Sequence, residues 1–151
     1  MKNVDVNRTD FQSEKELKDF LTAFVLEYAS TMNKIEKDIC LKEEKEPEKD
    51  FFPEFEKRYL PVFKKFCSDK KRAYGGQADS YGIPTNFDGI EKNTENSVEL
   101  KNKNRAEVYF KTRNDTHAEY LFIVLRKNNV WRIDNSKERW YGEEDWESMI
   151  L

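Results

Sequence analysis

The sequence contains only one histidine, His117, and two cysteines, Cys40 and Cys67. The cysteines lie far apart, without a C-x-x-C pair or a histidine at metal-ligand spacing, so we expect neither a zinc site nor any other metal or cofactor. Two lone cysteines in a chain of this length are most often small apolar core residues. The lone His117 is expected at a surface or sheet edge.

Long apolar runs and a basic excess are also missing. The N-terminus has no apolar stretch, so a signal peptide is not expected, and no segment approaches the roughly 20 apolar residues of a membrane span. The formal net charge is −3, whereas nucleic-acid-binding domains carry basic patches. We therefore expect a cytoplasmic protein that binds neither nucleic acid nor membrane.

Enzyme signatures are absent as well. The sequence has no G-x-G-x-x-G, phosphate-binding loop, G-x-S-x-G or H-E-x-x-H pattern. Asp134 is the one acid within a predicted core strand, and it lies on the polar face of that strand. A solvated or Arg-paired Asp134 is a better interpretation than a catalytic one.

Two helices are predicted in the first half of the chain. Ser13 and Glu16 form a capping box, and apolar residues recurring every three or four positions predict a helix from Glu14 to Ile39. Residues 1–12 are expected to be flexible and residues 41–50 to be a charged linker. A second helix, capped by Asp50, runs to Phe66 with a kink or break at Pro61.

The second half predicts an antiparallel sheet, with Asn128-Asn129 as a hairpin turn because Asn tolerates left-handed backbone. Trp131 and Ile133 should lie on the buried face of the last hairpin strand. The glycine-rich connection from Ser68 to Phe87 reads as an extended loop. The candidate strands are 72–74, 90–92, 97–100, 105–111, 117–127 and 130–134, and residues 143–150 read as one or two helical turns. We thus expect a single α+β domain, residues 1–151, with helices on one face of a curved sheet.

Trp140 and Tyr141 stand between charged residues and a glycine, where nothing obliges them to be buried. Exposed aromatics with a polar rim resemble an interface anchor. The preferred alternative is that both fold back and cover the end of the hairpin.

The order of these features resembles a known fold. The long first helix, the aromatic second helix and the hairpin Lys127-Asn-Asn-Val-Trp-Arg-Ile-Asp134 are similar to the nuclear transport factor 2-like fold, a cone-shaped α+β fold. Phe66–Arg72, Tyr81–Asp88 and Trp146 before Ile150-Leu151 resemble its bacterial branch of immunity proteins against polymorphic toxins. The resemblance spans residues 14–151.

The resemblance implies a non-catalytic protein, monomeric or dimeric, that neutralises a cognate bacterial toxin by occluding it; acidic patches would suit a basic toxin such as a nuclease. The candidate partner-binding residues are Glu43, Glu44, Glu46, Glu48, Asp50, Trp140, Tyr141, Glu143, Glu144 and Asp145. One alternative is a cone-type isomerase or dehydratase, and another is a small-ligand-binding module. Candidate residues for the cone pocket are Tyr28, Tyr81, Tyr109, His117, Trp131 and Asp134.

Overall fold

The first helix, α1, spans Glu14–Lys45 in the computed structural model, which describes residues 4–72, 81–149 and 151. Ser13 caps it as predicted, because its Oγ accepts a hydrogen bond from the Glu16 amide at 3.1 Å. The predicted linker was wrong for residues 41–45, which extend the helix. Lys and Glu are good helix formers, so this charged segment continues α1. The helix ends at Lys45 because Pro47 disfavours helical backbone at the residue before it.

The second helix, α2, spans Phe52–Phe66 with Pro53 in its first turn. Phe51 is the capping residue, while Asp50 Oδ1 accepts from the Phe52 amide at 3.0 Å. The predicted break at Pro61 does not occur, and the helix continues through it. The buried aromatic face of α2 packs against α1, for instance Phe66 on Phe24 at 5.1 Å, and this packing offsets the missing backbone hydrogen bond.

In the described residues, five strands follow in one antiparallel sheet whose spatial order is the sequence order. They are β1 (Glu95–Asn102), β2 (Arg105–Lys111), β3 (Glu119–Lys127), β4 (Val130–Arg139) and β5 (Glu147–Ser148). The strand predicted near residues 72–74 lies largely outside the described residues. The sheet and two preceding helices confirm the predicted α+β class.

Two predicted elements were wrong. Ile90–Lys92 is a short 3-10 helix and not a strand. It begins after Gly89, whose φ of 83° is a left-handed conformation that residues with a side chain rarely adopt. Residues 143–149 are not helical, because Ser148 pairs with Lys137 and the Met149 amide donates to the Ser136 carbonyl at 2.9 Å. Cross-strand pairing with β4 overrides local helix preference there.

The β3–β4 hairpin closes as predicted. Asn128 and Asn129 both adopt left-handed backbone, with φ of 53° and 67°. Trp131 and Ile133 are buried, 2% and 0% exposed. A register shift opposite Ile123 and Val124 makes Asp134 the extra residue of a bulge.

The core is one cluster between the helices and the inner face of the sheet. It is mainly aromatic, as in the contact of Phe87 with Phe122 at 5.3 Å. Residues 4–12, which were predicted to be flexible, pack against α1. The Val4 amide donates to Glu27 Oε2 at 3.1 Å, and the Phe11 and Phe20 rings are 5.0 Å apart.

Candidate functional site

The first set of predicted partner-binding residues lies at the end of α1 and in the turn to α2. We call Glu43, Glu44, Glu46, Glu48 and Asp50 the α1 acids. Within this set, Glu43 accepts a hydrogen bond from the Tyr81 hydroxyl and Glu46 pairs with Lys49 at 2.7 Å. Among the described residues, Glu44 and Glu48 have no ion-pair partner, and both are exposed. Their charges are therefore free to meet a partner.

The second set, residues 140–145, forms a turn after β4 that we call the terminal turn. Gly142 has a φ of 84°, and the Glu143 carboxylate accepts from the Trp140 amide at 2.8 Å. Trp140 is 50% exposed and Tyr141 82% exposed. The preferred prediction that they cover the hairpin end was wrong: the tight turn directs both rings outward. Glu143, Glu144 and Asp145 are exposed beside them.

The α1 acids contact the connection 81–89 directly, and the terminal turn is linked to it through residues 114–116. At one side, Tyr81 donates to Glu43. At the other, the Asn114 side-chain amide donates to the Asp88 backbone oxygen at 3.0 Å, and the Tyr141 amide donates to the Thr116 carbonyl at 3.0 Å. The α1 acids are thus linked to the start of this connection and the terminal turn, through residues 114–116, to its end.

Two buried polar residues of α1 hold that connection. Asn33 accepts from the Phe87 amide at 3.1 Å and donates to the Phe87 carbonyl at 2.7 Å. Glu36, 3% exposed, accepts from the amides of Gly82 and Asn86 at 3.3 and 3.2 Å. Burial raises the pKa of Glu36 to about 7, although those two donors act to lower it.

Sequence reasoning missed Asn33 and Glu36. The available signal was their spacing, because both alternate with Met32, Ile35 and Ile39 on the core-facing side of α1. Polar residues at such positions require buried partners. Those partners lie 46 to 54 residues away in sequence. The spacing along α1 therefore shows that Asn33 and Glu36 require hydrogen-bond partners, but it does not show which residues these are.

The structure does not bring the six cone-pocket candidates together. Tyr28 is wholly buried in the aromatic core, and Trp131 packs in the same core. Tyr109 lies on the other sheet face, where its hydroxyl donates to Glu119 at 2.8 Å. Tyr81 contacts the α1 acids. The aromatic side chains fill the space between helices and sheet that the ligand pocket would need.

His117 and Asp134 lie apart from each other and from the buried aromatic candidates. His117 is exposed in a left-handed turn, its ring 5.7 Å from that of Tyr141. Asp134 accepts from Ser68 Oγ and Lys70 Nζ, both at 2.9 Å. Burial alone would raise the pKa of Asp134, but these two hydrogen bonds hold it below its ordinary value. The carboxylate is paired, with Lys70 in place of the predicted Arg.

In the described ranges, no three His, Cys, Asp or Glu side chains come together as metal ligands. None of the helices in these ranges combines the length and the apolar character that crossing a bilayer requires.

Comparison with known proteins gives one result. Neither the curated proteins nor the solved structures that were searched provide a match. A family model described as "NTF2 fold immunity protein" matches residues 18–149, which include most of α1, all of α2, the whole sheet and the terminal turn. This chain therefore belongs to the NTF2 fold immunity protein family.

Proposed function

We propose that this protein binds a cognate bacterial toxin domain in the cytoplasm and neutralises it by covering its active site, without chemistry of its own. Membership of an immunity protein family supports the general role. The contact surface proposed is the terminal turn together with the α1 acids.

One observation carries the choice of surface: two large aromatic side chains are exposed within an acidic turn. Trp140 and Tyr141 together offer a large, rigid apolar area. Trp and Tyr are the residues most often found at the energetic centre of protein interfaces, surrounded by polar residues that exclude water. Glu143, Glu144 and Asp145 would form that polar surround.

The charge of this surface favours a basic partner. The terminal turn contributes three exposed carboxylates, and Glu44 and Glu48 add two whose charge has no counterion in the described chain. Such a surface speeds encounter with a positively charged protein through electrostatic steering. Toxins that cleave nucleic acid present basic active-site surfaces, so we propose a nuclease toxin.

The cone-enzyme alternative lacks support from the geometry. General acid–base catalysis needs a titratable side chain facing a substrate-sized space. Of the candidates, Tyr28 is enclosed by aromatic rings, His117 is exposed, and Asp134 is already paired with Lys70. Occlusion requires no such group.

The test is co-expression with the toxin domain encoded beside this protein, followed by binding measurements. Wild type should rescue growth, and W140A/Y141A should lose rescue and bind at least 100-fold more weakly, since two hot-spot residues each contribute about 2 kcal/mol. The control E14Q/E99Q removes two exposed carboxylates elsewhere, at the start of α1 and on β1. Circular dichroism must show both variants folded. Toxicity unaffected by wild type would refute the function; unchanged rescue by W140A/Y141A would refute the surface.

A further inference from the structure

A groove of about 770 Å³ lies beside the closed end of the β3–β4 hairpin. Strands β3 and β4 contribute the half-buried Leu125 and Val130. The end of α2 and the segment after it contribute Lys64 and Lys70, and the β1–β2 turn contributes Asn104. We call this the hairpin groove. Its volume falls in the range of ligand sites in proteins.

The hairpin groove is basic although the whole chain has a net charge of −3. Six bases line it, against two acids, Asp69 and Asp134. The bases are Lys64, Lys70, Arg105, Arg126, Lys127 and Arg132. The rest of the chain is therefore more acidic than its net charge suggests.

Two of these six bases are neutralised within the molecule. Lys70 pairs with Asp134 at 2.9 Å, and Arg105 pairs with Glu107 at 3.2 Å. These pairs add little net positive charge to the groove.

The other four bases have no carboxylate within ion-pair distance in the described part of the chain. Two of them are held by neutral acceptors: Arg132 donates to the Val6 carbonyl at 2.6 Å, and Arg126 Nε donates to Asn104 Oδ1 at 3.2 Å. Lys64 and Lys127 are exposed. The guanidinium groups are thus positioned in advance while their charge remains available, which lowers the entropic cost of binding an anion.

We propose that the hairpin groove binds an acidic segment of a protein, rich in Asp and Glu. Carboxylates would pair with the four uncompensated bases, and the apolar Leu125 and Val130 would contact aliphatic carbons between them. The side-chain amides of Asn102 and Asn128, which also line the groove, suit a peptide backbone. The proposal concerns residues outside the toxin-binding surface and does not depend on it.

A nucleic acid fits these observations less well than an acidic peptide. Duplex DNA carries one charge per roughly 1.7 Å of its axis and follows an extended basic surface. The six bases line one groove of a chain whose net charge is −3. A short acidic segment needs only the groove itself, whereas a duplex would extend past it.

The test uses the full chain and a fluorescein-labelled peptide of ten alternating Asp and Glu residues. We expect saturable binding by fluorescence anisotropy that weakens as salt increases. K64Q/K127Q should bind about tenfold more weakly, because two exposed ion pairs are lost. K37Q/K92Q, which removes two exposed bases outside the groove, should bind like wild type. Both variants change surface side chains, and circular dichroism confirms their folding.

Three results would overturn the proposal. The first is no peptide binding to wild type at low salt. The second is equal weakening by the groove variant and by the control variant, which would indicate general charge attraction. The third is tighter binding of a labelled ten-nucleotide single-stranded DNA than of the peptide, with the same loss in K64Q/K127Q, which would assign the groove to nucleic acid.

Discussion

Replacing Glu36 with Gln is expected to destabilise the protein at pH 4 and to stabilise it at pH 8. Glu36 is 3% exposed, and its pKa in the folded protein is about 7, against an ordinary value of 4.5. The folded state therefore binds a proton more tightly than the unfolded state does. Stability from this site is fully present below pH 4.5 and is lost as pH rises through about 7.

The size of the effect follows from the shift. At about 1.4 kcal/mol per pKa unit, ionising the buried carboxyl lowers the free energy of unfolding by about 3 kcal/mol between pH 4 and pH 8. Gln does not ionise, but it offers one acceptor oxygen to the amides of Gly82 and Asn86, and the lost hydrogen bond costs about 1 kcal/mol. The variant should thus be about 1 kcal/mol less stable at pH 4 and about 2 kcal/mol more stable at pH 8.

Urea unfolding followed by tryptophan fluorescence measures the free energy of unfolding of both proteins at pH 4, 5, 6, 7 and 8. Taking the difference between E36Q and wild type cancels the titration of every other group. E56Q, on the exposed side of α2, controls for loss of one negative charge. A difference that is constant across this pH range would refute the argument, because it would mean that Glu36 is not desolvated by the connection 81–89.

Three further predictions concern the scaffold. Trp131→Ala should lower the free energy of unfolding by about 3–5 kcal/mol and the melting temperature by about 10 °C in a thermal scan, since it removes a core indole. Gly89→Ala should cost about 1–2 kcal/mol in urea unfolding, because φ is +83° and a Cβ would lie 3.1 Å from Asn114 Cβ. Burial raises the pKa of Cys67 to about 12, so iodoacetamide should label it at pH 8 only after urea unfolding; labelling of Cys67 in the native protein would contradict its burial.

Much of the fold was predictable because local chemistry determines it. Ser13 caps α1 through a residue three positions away, and Asn128-Asn129 reverses the chain by its own backbone preference. The alternation in β2 fixes which side chains face the core without knowledge of the partner strand. Each of these signals lies within a few residues of the structure it specifies.

The wrong predictions concern segments whose conformation is determined by contacts with residues distant in sequence. Residues 143–149 have no strong strand pattern, and their extended form depends on pairing with β4. Glu36 looks like an ordinary helix glutamate until the connection 81–89 folds over it. The outward direction of Trp140 and Tyr141 likewise depends on the turn at Gly142 and on the bond from Tyr141 to Thr116. Sequence patterns identify such residues but not their surroundings.

The two proposed surfaces are separated by the length of β4. Val130 lines the hairpin groove, and Trp140 follows the other end of this ten-residue strand. At about 3.3 Å per residue the two ends lie about 30 Å apart. A typical interface covers about 800 Å² on each partner, a patch about 30 Å across. One centred on Trp140 therefore ends before Asp134, the nearest groove residue on β4, which is about 20 Å away. A single partner reaching both must therefore be elongated or carry an acidic extension, and otherwise the two surfaces bind separate segments of opposite charge.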